Sequence, residues 1–395
     1  MQSGGAAGPT AGPKYSEAPL ERVSPPTVGR FVSFRPDWLR VAWFVTLLFY
    51  ALFLTAFHYA ATMPWWLASP ERMANFSAAE PFQHRLLMPL IASILKRAIP
   101  PLNVDVIFAM LEVGLWMLLV IVACRALERF RIGHSDIVRR YLALTIVIPV
   151  AMHLIVPELK IPSLFIPHIN IIEFRDWGLH HLPRYVYDLP AAVFILALVV
   201  LLKRFTQHPD RSRFAAYLGL FALATLNRET TIFLIPAFAV CCFGIVDRGT
   251  LAKTVAAQLI VFAIVLVAAK IFSDGAANLH QAAPGTDYQD HLTGNLSLLT
   301  NPLYLLIYAV RFAAGLYLPV ILMHRHLDQV LKRTLLCFGL PLLASAVLVG
   351  RLQEERVVIE IVPLIWLAAL QAITAAGAER QKSGSCRADN PDEVD

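Results

Sequence analysis

Three short polar runs in an otherwise apolar chain carry the side chains that could do chemistry: Glu80-Pro81-Phe82-Gln83-His84-Arg85, Asn227-Arg228-Glu229-Thr230 and Arg351-Leu352-Gln353-Glu354-Glu355-Arg356. Each places arginine and glutamate within a few residues. Arginine offers a planar, permanently charged fork that matches two oxygens of a phosphate group. Arg85, Arg228 and Arg356, with His84 and Glu354 beside them, are therefore candidates to bind a lipid-linked phosphate or diphosphate. Glu80, Glu229 and Glu355 are candidates for the base that deprotonates an acceptor hydroxyl, or for oxygen ligands of a divalent metal. The competing reading is that each Arg-Glu pair is a salt bridge closing its own turn.

The segments that must hold these runs in place define the class. The chain has 395 residues, 57% apolar and 16% charged, with a mean hydropathy of +0.60. Ordinary soluble domains are about half apolar and about a quarter charged. A spanning helix needs about 20 mostly apolar residues, and long runs such as 115–124 and 259–269 show none of the alternation of a transmembrane strand. The expectation is an all-α, polytopic transmembrane bundle whose helices satisfy their own backbone groups. Apolar runs bounded by charge predict ten spans, at 39–61, 104–124, 141–157, 185–202, 214–226, 231–246, 254–272, 302–323, 334–350 and 357–377. Residues 1–38, rich in Gly and Pro, read as a disordered cytoplasmic tail, and 378–395 as a polar one. The first apolar run lies too far from the N-terminus for a cleaved signal peptide and reads as a retained span.

Charge then sets the orientation. The stretch 85–101 contains Pro89 and ends in Lys96-Arg97. If it crossed the membrane, the basic loop 125–140 would face outward, against the positive-inside rule. The reading is an amphipathic surface helix within a first outer loop at 62–103. Loops 125–140, 203–213, 247–253 and 324–333 then hold 14 Lys and Arg against 5 Asp and Glu, and the opposite loops hold 10 against 11. Both termini fall in the cytoplasm, and the three polar runs lie together on the outer face. The net charge of +6 reads as this topological signal, so no nucleic-acid partner is expected.

Other polar residues rank lower. Asp188, Glu112 and Arg311 lie in or near apolar spans, where an ionisable group is a functional candidate. His168, His180 and His181 share one loop without a recognisable metal-ligand spacing. Trp65-Trp66 and Trp177 read as interfacial anchors. The five cysteines are structural or neutral, since none is placed for an extracellular disulfide.

The run Gln353-Glu354-Glu355-Arg356, with Pro363 seven residues after the arginine, resembles the His-Lys-Glu-Glu-Arg-Phe signature before the last spans of dolichol-phosphate-mannose-dependent mannosyltransferases of the GT-C superfamily. Leu352-Gln353 stands where that signature has His-Lys, and Val357 where it has Phe. The layout is also similar: one span, a long outer loop with a surface helix and an acid, then many spans with short loops. The resemblance implies a GT-C-like glycosyltransferase, with Glu80, or Glu71 as second choice, as the catalytic or metal-linked first-loop acid. It implies a polyprenyl-phosphate sugar donor, a glycan or lipid acceptor, contact with membrane lipid and a bacterial inner-membrane location. A flippase of lipid-linked sugars and a polysaccharide polymerase are the alternatives.

Overall fold

The computed structural model describes residues 36–79, 82–155, 182–273, 291–350 and 355–388. Glu80 and Glu354 fall outside them, as do the 156–181 loop with its histidines and Trp177. Glu355 and Arg356 are described in backbone only.

The described chain is a helical bundle. Seven of its helical segments are long and apolar enough to cross a membrane: 38–61, 104–129, 136–154, 188–207, 248–272, 329–348 and 357–379. Local sequence explains where several begin. The Asn103 side chain accepts from the Asp105 backbone at the start of α4 (Val104–Arg129). Ser135 does the same for α5 (Asp136–Leu144) and Asp210 for α8 (Arg211–Asn227). Such caps satisfy amide donors that the first helical turn leaves unpaired.

Three of the ten expected spans are shorter. At about 1.5 Å per residue the 17 residues of α8 reach only about 26 Å, less than a hydrocarbon core of about 30 Å. The apolar segment 229–242 is 14 residues long and stops before Gly244, whose φ of 78° breaks the helix. The segment 302–322 is interrupted because Ala313, Ala314 and Gly315 take left-handed φ values of 48°, 55° and 71°. At the other end of the chain the last helix (Val362–Ala388) runs past the expected boundary at 377.

Two elements form the middle of the bundle. In α7 (Asp188–Gln207), 67% of the apolar window is buried inside the protein, and in the segment 357–379 the figure is 72%. For α10 (Arg248–Ser273) it is 17%, so most of that helix faces outward. The main core packs Ile195, Leu196 and Val199 of α7 with Ile365, Trp366 and Ala368 of the last helix and Trp116 of α4.

The basic loops gather at one end. Lys203 pairs with Asp328, Arg129 hydrogen-bonds Gln207, and Lys203 lies over the Phe130 ring. Loops 125–140, 203–213 and 324–333 are thus neighbours, as the charge count requires.

At the opposite end lies the first long loop. The chain leaves α1 (Pro36–Ala61), forms β1 (Thr62–Pro64) and a short α2 (Pro70–Ala74), and then α3 (Leu87–Ala98). β1 pairs in parallel with β2 (Leu182–Arg184), Thr62 opposite Leu182 and Pro64 opposite Arg184, a small departure from an all-helical expectation. With 12 residues α3 is about 18 Å long and cannot cross a bilayer. It buries Leu87, Met88, Pro89 and Ala92 beside a small satellite core of Met73, Ile107 and Phe108, and leaves Leu90 and Ile94 exposed.

Candidate functional site

The parallel strand pair brings the chain to Tyr185 and Tyr187, directly before α7. Asn227, the last residue of α8, is 1% exposed and donates its side-chain amide to the Tyr187 carbonyl at 2.9 Å. That bond locks the end of α8 to the start of α7. The next residue, Arg228, has extended backbone (φ −161°, ψ 133°) and turns its side chain back into the protein.

Buried, Arg228 meets two carboxylates. Its Nε lies 3.0 Å from Oε1 of Glu360, and its Nη1 lies 3.7 Å from Oδ1 of Asp188, the first residue of α7. Its Nη2 donates to the Val357 carbonyl at 3.4 Å. Thr230 completes the group, with its hydroxyl 2.7 Å from both oxygens of Glu360. Glu360 is 1% exposed and Asp188 2%. Charges so deeply buried persist only when paired and hydrogen-bonded.

A second pair sits against the first. Arg85 places its guanidinium 4.0 Å from the centre of the Tyr187 ring and its Nη2 3.7 Å from Oε1 of Glu229. Phe82 stacks on Tyr185 at 5.2 Å, Tyr185 meets Tyr187 in a tilted contact at 5.3 Å, and Arg85 lies over both Phe82 and Tyr187. Arg85 Nε is buried with no hydrogen-bond partner among the described residues, and so are Nε and Nη1 of Arg228, whose carboxylate contacts are ion pairs without hydrogen-bond geometry. By contrast 45% of the Glu229 side chain is open. Burial alone would raise the pKa of Glu229, but the charge of Arg85, a hydrogen bond to its own backbone and the charge of Arg228 outweigh it and hold the carboxyl below its usual range. His84 contributes in the same direction and is half-buried.

Two of the three polar runs therefore meet, and the second also meets the segment that follows the third. Phe82–Arg85 meets Asn227–Thr230 through Arg85 and Glu229, and Asn227–Thr230 meets the 3-10 turn Glu355–Ile361 through Arg228, Thr230, Val357 and Glu360. Of the residues the sequence singled out, Arg85, Arg228 and Glu229 are at this junction, and His84 adjoins it. The backbone of Glu355 and Arg356 belongs to the same turn as Glu360.

Glu360 itself was not singled out by sequence reasoning. The signal existed: it is a lone carboxylate within Val357-Val358-Ile359-Glu360-Ile361-Val362, and an acid inside an apolar span is a functional candidate by default. Tyr187, Asn227 and Thr230 carried no comparable signal. Asp188, ranked second, is a direct partner of Arg228.

Next to this junction is a smaller cluster. His58 Nδ1 lies 2.8 Å from Oε1 of Glu112, which also accepts from Trp116 Nε1 at 3.3 Å. Arg184 stacks 3.5 Å over Tyr59 and lies 3.6 Å from Asp105. A cavity of about 10 Å³ between them has room for about one water. This cluster ties α1 to α4. Among the described residues no three or more His, Cys, Asp or Glu side chains gather as a metal site.

No protein-family model, curated protein or solved structure matches this chain.

Proposed function

We propose that this chain is an integral-membrane, GT-C-like glycosyltransferase that moves a sugar from a polyprenyl-phosphate carrier to an acceptor hydroxyl outside the cytoplasm. One observation carries the reading: Arg85 and Glu229, from polar runs far apart in sequence, meet beside the buried Arg228–Glu360 group, where an arginine whose Nε has no hydrogen-bond partner among the described residues faces a half-open carboxylate. Turn locks would have no reason to converge.

In this reaction Glu229 or Glu80 takes the proton of the acceptor hydroxyl as its oxygen attacks the anomeric carbon of the donor. The carbon–oxygen bond to the phosphate breaks, and the lipid phosphate leaves with the electron pair, giving inversion at that carbon. Arg85, backed by Tyr187, and Arg356 stabilise the growing negative charge on the leaving phosphate. Arg228 holds the frame. With its guanidinium committed to Glu360 and Asp188, it fixes α7, α8 and the last helix relative to one another. The proposed setting is a ten-pass bundle in a bacterial inner membrane, with both termini cytoplasmic and the converging runs outside.

The test is sugar transfer from radiolabelled polyprenyl-phosphate mannose or glucose in membranes containing the full chain, with protein amounts matched by immunoblot. Full transfer by Glu229→Gln and Glu80→Gln would remove the enzyme reading. Impermeant thiol labelling in intact cells tests the orientation: a cysteine at Ser77 should react and one at Ser135 should not.

A flippase of lipid-linked sugars is the second reading, favoured by the helix interruption at Ala313–Gly315, where His153 Nε2 accepts from the Ala313 amide inside the bundle. Interrupted helices line the substrate paths of many transporters. Movement of a fluorescent polyprenyl-phosphate sugar across proteoliposomes without any transfer would favour it.

A further inference from the structure

At the same end of the molecule as the charged junction, a separate cleft of about 710 Å³ opens between α2, α3 and the start of α4. Its volume falls within the range of small-molecule sites, about 300–1,000 Å³. Arg97 lies ten residues beyond Leu87, the first residue of α3, so the far end of the cleft is about 15 Å along that helix from the end that follows Arg85.

The polar groups that line this cleft are not satisfied by one another. Glu71 and Arg97 carry opposite charges and face the same space, and both are exposed, yet they form no ion pair. Asn103 uses its side-chain oxygen to cap α4, which leaves its amide hydrogens for something else. Ser93 adds a hydroxyl. Lys96 is occupied: its ammonium is held by the Pro100 and Leu102 carbonyls at 2.8 and 2.7 Å, which stiffens the cleft's basic wall.

Phe76 supplies the aromatic face. Its φ of 56° closes the C-terminus of α2, with the Phe76 amide bonded to the Met73 carbonyl at 3.1 Å and the Ser77 amide to the Arg72 carbonyl at 2.8 Å. That cap sets its half-buried side chain on the lining of the cleft.

We infer that this cleft binds a neutral saccharide, the acceptor glycan if the transferase reading holds. The charges in the cleft exclude ionic ligands. An anionic ligand would be opposed by Glu71 and a cationic one by Arg97 and Lys96, whereas each sugar hydroxyl both donates and accepts. One sugar ring can thus satisfy a carboxylate, a guanidinium and a carboxamide together, and its C–H face can lie on an aromatic ring. Only the word acceptor rests on the transferase reading; the binding does not.

The experiment is saturation-transfer NMR on the full chain in nanodiscs, free of sugar-based detergent. The probes are maltotriose, chitotriose and mannotriose, with trigalacturonate as an anionic comparison. At least one neutral trisaccharide should receive saturation, strongest at ring C–H protons. Phe76→Ala and Arg97→Ala should each weaken it about fivefold to tenfold, the scale of one aromatic or hydrogen-bond contact. Glu71→Gln, which leaves the cap of α2 intact, should weaken it too, and Arg125→Ala at the opposite end should not. Binding of trigalacturonate alone, of no probe at all, or equally by wild type and variants would overturn the inference. Saccharide binding without any transferase activity would break the enzyme reading and leave the cleft standing. Active transferase whose acceptor KM ignores Phe76→Ala and Arg97→Ala would break the cleft and leave the enzyme reading standing.

Discussion

Arg228 and Arg85 are chemically identical and lie in one constellation, yet their surroundings differ. Both guanidinium groups are largely buried, with 7% of the Arg228 side chain and 11% of the Arg85 side chain exposed, and each has buried nitrogens without a hydrogen-bond partner among the described residues, Nε and Nη1 of Arg228 and Nε of Arg85. Their carboxylates differ: Arg228 faces Glu360 and Asp188, both buried, whereas Arg85 faces Glu229, whose side chain is 45% open. An ion group whose carboxylates are all buried is costly to break and leaves a ligand no open partner to displace. A half-open pair contributes little to stability and can exchange its partner for a substrate. The residue type alone does not distinguish a strut from a grip; its partners do.

The sharpest way to break this comparison is to remove half of the buried group. Arg228→Ala, or Glu360→Ala, should cost about 3–5 kcal/mol by leaving an uncompensated buried charge, and should appear as lost protein and a lower melting temperature before any assay is possible. Replacing Arg228 by Met together with Glu360 by Leu and Asp188 by Asn should recover much of that loss, since apolar packing can substitute for a buried ion group once no charge is left behind. If Arg228→Ala keeps normal abundance and melting but fails in transfer, Arg228 is a grip after all.

Next in size, Glu229→Gln should keep the fold and lower transfer by about 10²-fold or more, the usual scale of a general base. A smaller kinetic effect is expected from Arg85→Lys. It keeps the charge but loses the fork and the stacking on Tyr187, worth about 1–2 kcal/mol at a largely buried site, so a loss of roughly fivefold to thirtyfold is expected at unchanged abundance. Tolerance of Arg85→Lys together with destabilisation by Glu229→Gln would make this pair a strut as well.

The smallest effect concerns pH. The Glu229 carboxyl titrates below its usual range in the folded protein, so the unfolded chain takes up its proton first as pH falls. Its stabilisation is therefore complete above an ordinary glutamate pKa of about 4.3 and is lost as pH drops through the lower folded value. Because the side chain is nearly half open, the contribution is at most about 1 kcal/mol. Melting curves between pH 6 and pH 3 should show a small extra loss in the wild type that Glu229→Gln lacks.

Much of the architecture was readable because hydrophobic length is a local property. Spans such as 104–129 and 188–207 needed only their apolar runs and flanking charges. The interruption at Ala313–Gly315 was not readable: Phe312-Ala313-Ala314-Gly315 has ordinary helical residues at the strained positions. The Ala313 amide instead bonds to His153, 160 residues away in sequence. The site was half readable. Arg85, Arg228 and Glu229 stood out as charges too costly for simple turns, but Glu360, which holds Arg228, hid inside an apolar run.

What the sequence determined by itself was the solvent this chain is built for, the helical form that solvent demands, and the segregation of basic loops from balanced ones. Each follows from composition summed over short windows, with no knowledge of partners. The tertiary structure decided that the runs at 82–85 and 227–230 share one place with Glu360, and which arginine there faces buried carboxylates and which an open one. It also decided that Glu71 and Arg97 line one cleft without pairing. Those are outcomes of long-range packing: the fate of a charge depends on how much water and which opposite charge the fold leaves beside it, and neither is written within a few residues of the charge itself.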